Sequence, residues 1–502
     1  MIRSGRNAML RRLLLGFAAA TAFGLASAQA QTVKIDTGAL SGATAEGVAS
    51  FKGIPYAAPP VGPLRWRPPE PAARWSGARD ATRYGALCMQ KIVKDNGVGP
   101  GPASEDCLTV NVFAPTGARA LPVMVWIHGG GLVNGSGTAD LYDGTHLAQQ
   151  GVVVVTLNYR LGRLGFFAHP ALTAEAHGGP VANYGLMDQI AALKWVQRNV
   201  RAFGGDPARV TIFGESAGGV SVNRLMLIPS AQGLFTKAIS QSGVGREQGQ
   251  TLTQAEAAGS TFAAKLGAGD DAASLRALSA AAIIAAGDPS MTTGELPILD
   301  GKMLTQTVLE AFRAGKEARV PYLVGSNSQE IPPAFAAAFG GFGKLTDAQK
   351  AEAEQTYGSA ETLKEYLPTD MIFGEPARAL AKAHARTGSA TYLYRFGVVS
   401  AAAPKAFKGA IHASDRQYVF ETLNASPWAT DAHDAALSKT ISAYWVAFAK
   451  TGDPNGVGRP AWPAYGPGDQ LIDFTNDGPV AQKTPDAARL DWLGKVEDAG
   501  PR

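Results

Sequence analysis

Cysteine is almost missing from this chain: Cys88 and Cys107 are the only two in 502 residues. Two cysteines with no histidine between them fall short of a tetrahedral zinc set, and neither a two-histidine zinc helix nor a phosphate-binding Gly-Lys loop occurs. A lasting surplus of charge is missing too. The formal net charge is +4, but residues 1–28 hold Arg3, Arg6, Arg11 and Arg12 and no acid, so without them 42 basic residues face 42 acidic ones. That balance gives no support to nucleic acid or an anionic membrane as partner. The apolar run Leu13 to Leu25 is shorter than the roughly 20 residues a membrane span needs, so membrane insertion is not expected. With 46% hydrophobic and 18% charged residues, disordered and fibrous classes drop out and a large buried core is expected.

What is present begins with that N-terminus. Four arginines, an apolar run and then Ala26-Ser27-Ala28 have the layout of a secretory signal peptide over 1–28, cleaved after Ala28 or Ala30. Arg11-Arg12 leaves twin-arginine and ordinary export both open, and the destination is periplasmic or secreted. In an exported chain, two cysteines so close in sequence are placed to form a disulfide, with two buried thiols as the alternative. Closing that loop would contribute about 3 kcal/mol.

Residues 29–502 read as one domain. The segment to Pro71 is rich in Gly and Pro and reads as short strands and turns. Leu121 to His128 and Val152 to Tyr159 are near-continuous apolar, β-branched runs, as expected of strands buried on both faces of a mostly parallel sheet. Leu186, Ile190, Leu193, Val196 and Val200 recur at helical spacing, and Gly204-Gly205 ends that pattern. Further strands are expected at Val210–Phe213, Lys237–Gln241, Val320–Gly325, Thr391–Phe396 and Leu471–Phe474. The alternation predicts a doubly wound α/β sheet flanked by helices, with helical cap or side insertions around 251–290 and 332–386.

Gly214-Glu215-Ser216-Ala217-Gly218 sits between an apolar strand and a helix-compatible run. A Gly-x-Ser-x-Gly pentapeptide alone is weak evidence, but in that context a sharp turn lifts the serine hydroxyl above the sheet edge. Acyl transfer also needs donors for the oxyanion. His128-Gly129-Gly130-Gly131 directly follows the strand at Leu121–Ile127, so the backbone N–H groups of Gly130 and Gly131, with that of Ala217, are the candidates. A flexible glycine turn is the plain alternative.

At these motifs the sequence resembles the type-B carboxylesterase family, which includes bacterial carboxylesterases and the animal cholinesterases. The resemblance runs through Phe51–Tyr56, Pro60–Trp66, Ser104-Glu105-Asp106-Cys107-Leu108, Asn158-Tyr159-Arg160-Leu161-Gly162 and Asn183-Tyr184-Gly185-Leu186. It continues through Phe203–Pro207, Phe213–Gly219, Gln241-Ser242-Gly243 and Gly452-Asp453-Pro454-Asn455.

The resemblance implies an α/β-hydrolase fold, ester hydrolysis without metal or organic cofactor, and a triad in the order serine, acid, histidine. Three histidines follow Ser216. His384, in a polar helix-like stretch, and His433, at a helix start among Asp431 and Asp434, read as solvated surface residues. His412, in Gly409-Ala410-Ile411-His412, matches the family's histidine loop. Glu330, closing Gly325-Ser326-Asn327-Ser328-Gln329-Glu330, matches the glutamate segment, although Gln329 stands where aspartate is common and Ile331 where glycine is common. Ser242 resembles a serine that supports the triad, and a merely structural role is its alternative.

By the same resemblance the Cys88–Cys107 loop borders the entrance to the site. It has no tryptophan to stack on a quaternary ammonium, so choline esters are not expected substrates. Lys91 and Lys94 in it would favour a carboxylate-bearing ester, unless they are ordinary solvated lysines. The expected partner is a small-molecule ester. A non-catalytic binding protein, or a lipase, thioesterase or amidase with the same triad, is the rival.

Overall fold

The apolar runs form strands because their side chains alternate between two cores. The computed structural model describes residues 31–499 except 93–96, 248, 290–295 and 340–344. In it β5 is Leu121–Ile127, β6 is Val153–Leu157 and β7 is Gly205–Glu215. Val123, Val125 and Ile127 of β5 enter one cluster with Val153, Val155 and Leu157 of β6, while Met124, Trp126 and Val154 enter the cluster on the opposite face. A period of two with both faces apolar is what a strand covered on both sides requires.

Before these lie β1 (Gln31–Ile35), β2 (Gly38–Ala45), β3 (Val48–Pro55) and β4 (Thr109–Pro115). After them come β8 (Lys237–Gln241), β9 (Tyr322–Asn327), β10 (Thr391–Phe396), β11 (Gln470–Thr475) and β12 (Gly478–Lys483). Among the described residues the sheet runs β1-β2-β3-β4-β6-β5-β7-β8-β9-β10-β11-β12, with a thirteenth short strand, Ala78–Asp80, beside β2. Pairing is parallel from β6 to β11 and antiparallel at both ends. The fold is thus of the α/β-hydrolase class expected from the sequence.

Helix α1 (Tyr184–Asn199) carries the predicted apolar stripe, and its last turn tightens into 3-10 geometry at Val200–Phe203 before Gly204 adopts a left-handed cap. Helix α2 (Ala217–Leu225) follows β7 after a single residue. Helices α3 (Leu252–Lys265), α4 (Ala272–Ala277) and α5 (Ala280–Ala285) lie within 251–290. Within 332–386 lie α6 (Asp347–Tyr357), α7 (Ala360–Thr369), a π-turn at Asp370–Gly374 and α8 (Glu375–Ala385). The π-turn had no signature in the sequence.

One expectation is overturned. His384 is fully buried, because α8 carries it against the segment leading to β9, where its Nδ1 lies 3.0 Å from Oε1 of Glu317 and its Nε2 2.9 Å from the carbonyl of Val320. A buried carboxylate 67 residues away made burial of a polar ring affordable. His433 is exposed beside Asp431, which caps helix α9 (Ala432–Thr451). Among the described residues no helix is long and apolar enough to cross a membrane. The leader expected at 1–28 and Lys94 lie outside the described residues, whereas Lys91 is exposed.

Candidate active site

The register places Gly214 beside Ile127 on β5 and Ser240 on β8, so the carboxyl ends of β5, β7, β8 and β9 meet at one rim. Ligand sites of open α/β sheets form at that end. The chain turns there at Ser216, whose φ of 55° and ψ of −124° is a conformation that costs a non-glycine residue about 1–3 kcal/mol. The N–H of Ser216 donates to the carbonyl of Gln241 at 2.9 Å, pinning the turn to β8. Gly218 is required by contact. A Cβ there would lie 2.0 Å from the carbonyl oxygen of Ile127, so a side chain would push α2 off β5.

Three loops bring the predicted residues together. His412 Nε2 lies 2.9 Å from Ser216 Oγ, and its Nδ1 lies 2.6 Å from Oε2 of Glu330. The other oxygen of Glu330 accepts from Ser242 Oγ at 2.5 Å and from the N–H of Asn327 at 2.7 Å. Both carboxylate oxygens are therefore occupied. Phe373, presented by the π-turn, packs on the imidazole with centroids 5.0 Å apart.

Gly129 passes so close to the elbow that a Cβ on it would sit 3.1 Å from Ser216 Cβ. Gly130, with φ of 99°, closes a turn in which its carbonyl accepts from the N–H groups of Val133 and Asn134, both at 3.0 Å. Ala217 is the first residue of α2, so its N–H has no acceptor within the helix. His128 buttresses this loop. Its ring stacks on Tyr159 at 4.4 Å, the Tyr159 hydroxyl donates to the His128 carbonyl at 3.0 Å, and burial pushes the imidazole down to about 4, keeping it neutral.

Sequence reasoning missed the acids around Ser216, His412 and Glu330. Glu215 is buried, with Oε1 3.4 Å from His412 Nε2 and Oε2 3.9 Å from Nε of Arg416. Burial pushes its carboxyl up to about 7. The crowding of His412 by protein opposes its charged form, but Glu215 and then Glu330 outweigh that and raise it to about 9. Asp415, also raised by burial, accepts from Gln241 Nε2 at 2.6 Å, and Trp445 Nε1 donates to Gln241 Oε1 at 3.1 Å. Glu215 stood in view inside the pentapeptide, but only the fold brings it to the ring of His412.

Cys88 and Cys107 form a disulfide with Cα atoms 5.0 Å apart.

The model of the Carboxylesterase family matches residues 29–357 and 343–491. The chain belongs to the carboxylesterase family. It is 38% identical to the para-nitrobenzyl esterase of Bacillus subtilis, over 87% of this chain and 92% of that one. It is 36% identical to the fumonisin B1 esterase of Sphingopyxis macrogoltabida, over 94% and 92% respectively. A solved PNB esterase superposes with a TM-score of 0.81 at 36% identity, covering 92% of this chain and 99% of that one. The activity of this carboxylesterase is hydrolysis of carboxylic esters, as its relatives' names state and the family assigns.

Proposed function

We propose that the ester is cleaved through an acyl-enzyme on Ser216, with His412 as general base, Glu330 as its orienting acid, and the N–H groups of Gly130, Gly131 and Ala217 as the oxyanion hole. The supporting observation is the unbroken line from Ser216 Oγ through both ring nitrogens of His412 to Glu330, at 2.9 and 2.6 Å. His412 Nε2 takes the hydroxyl proton as Ser216 Oγ adds to the carbonyl. Nδ1–H stays donated to Glu330, which fixes the tautomer and stabilises the imidazolium. Collapse of the tetrahedral adduct expels the alcohol, protonated by His412, and water activated by the same nitrogen then releases the acid.

The substrate is a small-molecule carboxylic ester. Relatives are named for p-nitrobenzyl, fumonisin B1 and cocaine, so kinship supplies the bond cleaved rather than the molecule carrying it. Hydrolysis of p-nitrophenyl esters from acetate upward by wild type and Ser216→Ala tests the reading. Turnover by wild type with a loss of several orders of magnitude in the variant supports it, and equal inertness of both would mean a binding protein.

We further propose export with removal of residues 1–28 or 1–30, a reading the Cys88–Cys107 bond favours because disulfides persist in oxidising compartments. The intact mass of protein recovered from the periplasm or medium tests this. A mass that retains the leader overturns it.

A further inference from the structure

Gln329 adjoins the proposed catalytic acid Glu330, and its surroundings point to a function. The acid loop and the histidine loop are laced together by backbone-directed bonds. The N–H of Ala410 donates to Ser328 Oγ at 2.9 Å, the N–H of Gln329 to the carbonyl of Ala410 at 2.9 Å, and Asn327 Nδ2 to the carbonyl of Ile411 at 2.7 Å. The N–H of His412 donates to the carbonyl of Glu330 at 3.0 Å.

Gln329 adds a connection of another kind. Its side chain is fully buried, and Oε1 accepts from the N–H groups of Lys408 and Gly409, at 2.8 and 3.2 Å. Its Nε2 donates to Oε1 of Glu365, on the partly exposed face of α7. One amide thus spans the acid loop, the histidine loop and the helical insertion. An aspartate could accept from the two N–H groups but has no proton to give Glu365, whereas glutamine holds an acceptor and two donors on one planar group.

We propose that Gln329 is a positioning residue that, backed by Glu365, makes the alignment of His412 depend on the helical insertion. This rests on the reading of Ser216, His412 and Glu330 as the triad. The amide holds Lys408 and Gly409 against the acid loop, so the imidazole three residues on meets Glu330 and Ser216 together. Freed of its carboxylate anchor, the amide can rotate, and the histidine loop loses the two bonds that Oε1 accepts. Misplacement of a catalytic group by about 1 Å costs on the order of 100-fold in rate.

The test uses the full chain with Gln329→Ala, Glu365→Ala, Glu365→Gln and the double alanine variant, assayed on a p-nitrophenyl ester. Proton NMR follows the downfield signal of the His412 Nδ1–H bonded to Glu330, assigned by its loss in His412→Gln. The expectation is a kcat reduced about 10- to 100-fold in both single alanine variants, with KM within about twofold and the downfield signal broadened or lost. Glu365→Gln should keep rate and signal, since its amide oxygen still accepts from Gln329. The double variant should fall no further than Gln329→Ala, because Glu365 acts through Gln329. Glu365 is partly exposed, so Glu365→Ala carries the test even where Gln329→Ala does not fold. Full kcat and an unchanged signal in Glu365→Ala would overturn the proposal, as would an effect confined to KM. A Ser216→Ala protein that stayed active would instead overturn the triad reading beneath it.

Discussion

Oε1 of Glu215 lies 3.4 Å from Nε2 of His412, the same ring nitrogen that faces Ser216 Oγ at 2.9 Å. His412 thus has a carboxylate on each side, Glu330 at Nδ1 and Glu215 at Nε2. Both favour the imidazolium, and together they outweigh the loss of water around the ring, so His412 keeps its proton up to about 9. Only neutral imidazole accepts the serine proton. The free enzyme's kcat/KM should therefore climb with pH toward that value, and Glu215→Gln, which removes a charge that raises His412, should move this limb to lower pH. A limb that stays put or moves up in a pH series from 5 to 10 would contradict the assignment.

Gly130 and Gly131 should answer alanine differently. At Gly130 the added carbon would sit 2.2 Å from the carbonyl oxygen of Asn134, so the loop must shift and the proposed oxyanion donor with it. A kcat lowered about 10²- to 10³-fold is expected. At Gly131 the nearest atom is 3.7 Å away, and the cost is the left-handed backbone alone, about 1–2 kcal/mol. Parallel kcat and thermal-melt measurements separate the two, and a fully active Gly130→Ala would remove this loop from the oxyanion hole.

How much of this was legible follows from the range of each interaction. The strands preceding Ser216 announced themselves because both faces of β5 and β6 are apolar and Val210–Phe213 of β7 is largely so, a pattern local to each run. The elbow and the glycine loop were legible for the same reason, since their geometry is made within a few residues. His384 misled because its polar neighbours along the chain say nothing about Glu317, the residue that lets it be buried. The Trp445–Gln241–Asp415 chain, with links spanning 204 and 174 residues, and the Gln329–Glu365 link also exist only after folding. Between 332 and 386, helix was legible and the π-turn that brings Phe373 onto His412 was not.

Behind the glycine loop, Arg160 and Asp188 form a buried two-pronged pair, Nε and Nη2 each at 2.7 Å, and the N–H of Arg160 donates to the same carboxylate at 3.0 Å. Removing one charge strands the other. Asp188→Ala should lower stability by about 3–5 kcal/mol in a urea titration, well beyond an ordinary surface change. A loss under about 1 kcal/mol would mean that Arg160 finds water or another partner.

The most direct measurement is covalent labelling by a p-nitrophenyl phosphonate ester, with peptide mapping by mass spectrometry. The account predicts one phosphonyl group per chain on the peptide containing Ser216, loss of esterase activity in step with labelling, and no label on Ser216→Ala. Label on another residue with activity lost, or full activity retained by a protein labelled at Ser216, would contradict it.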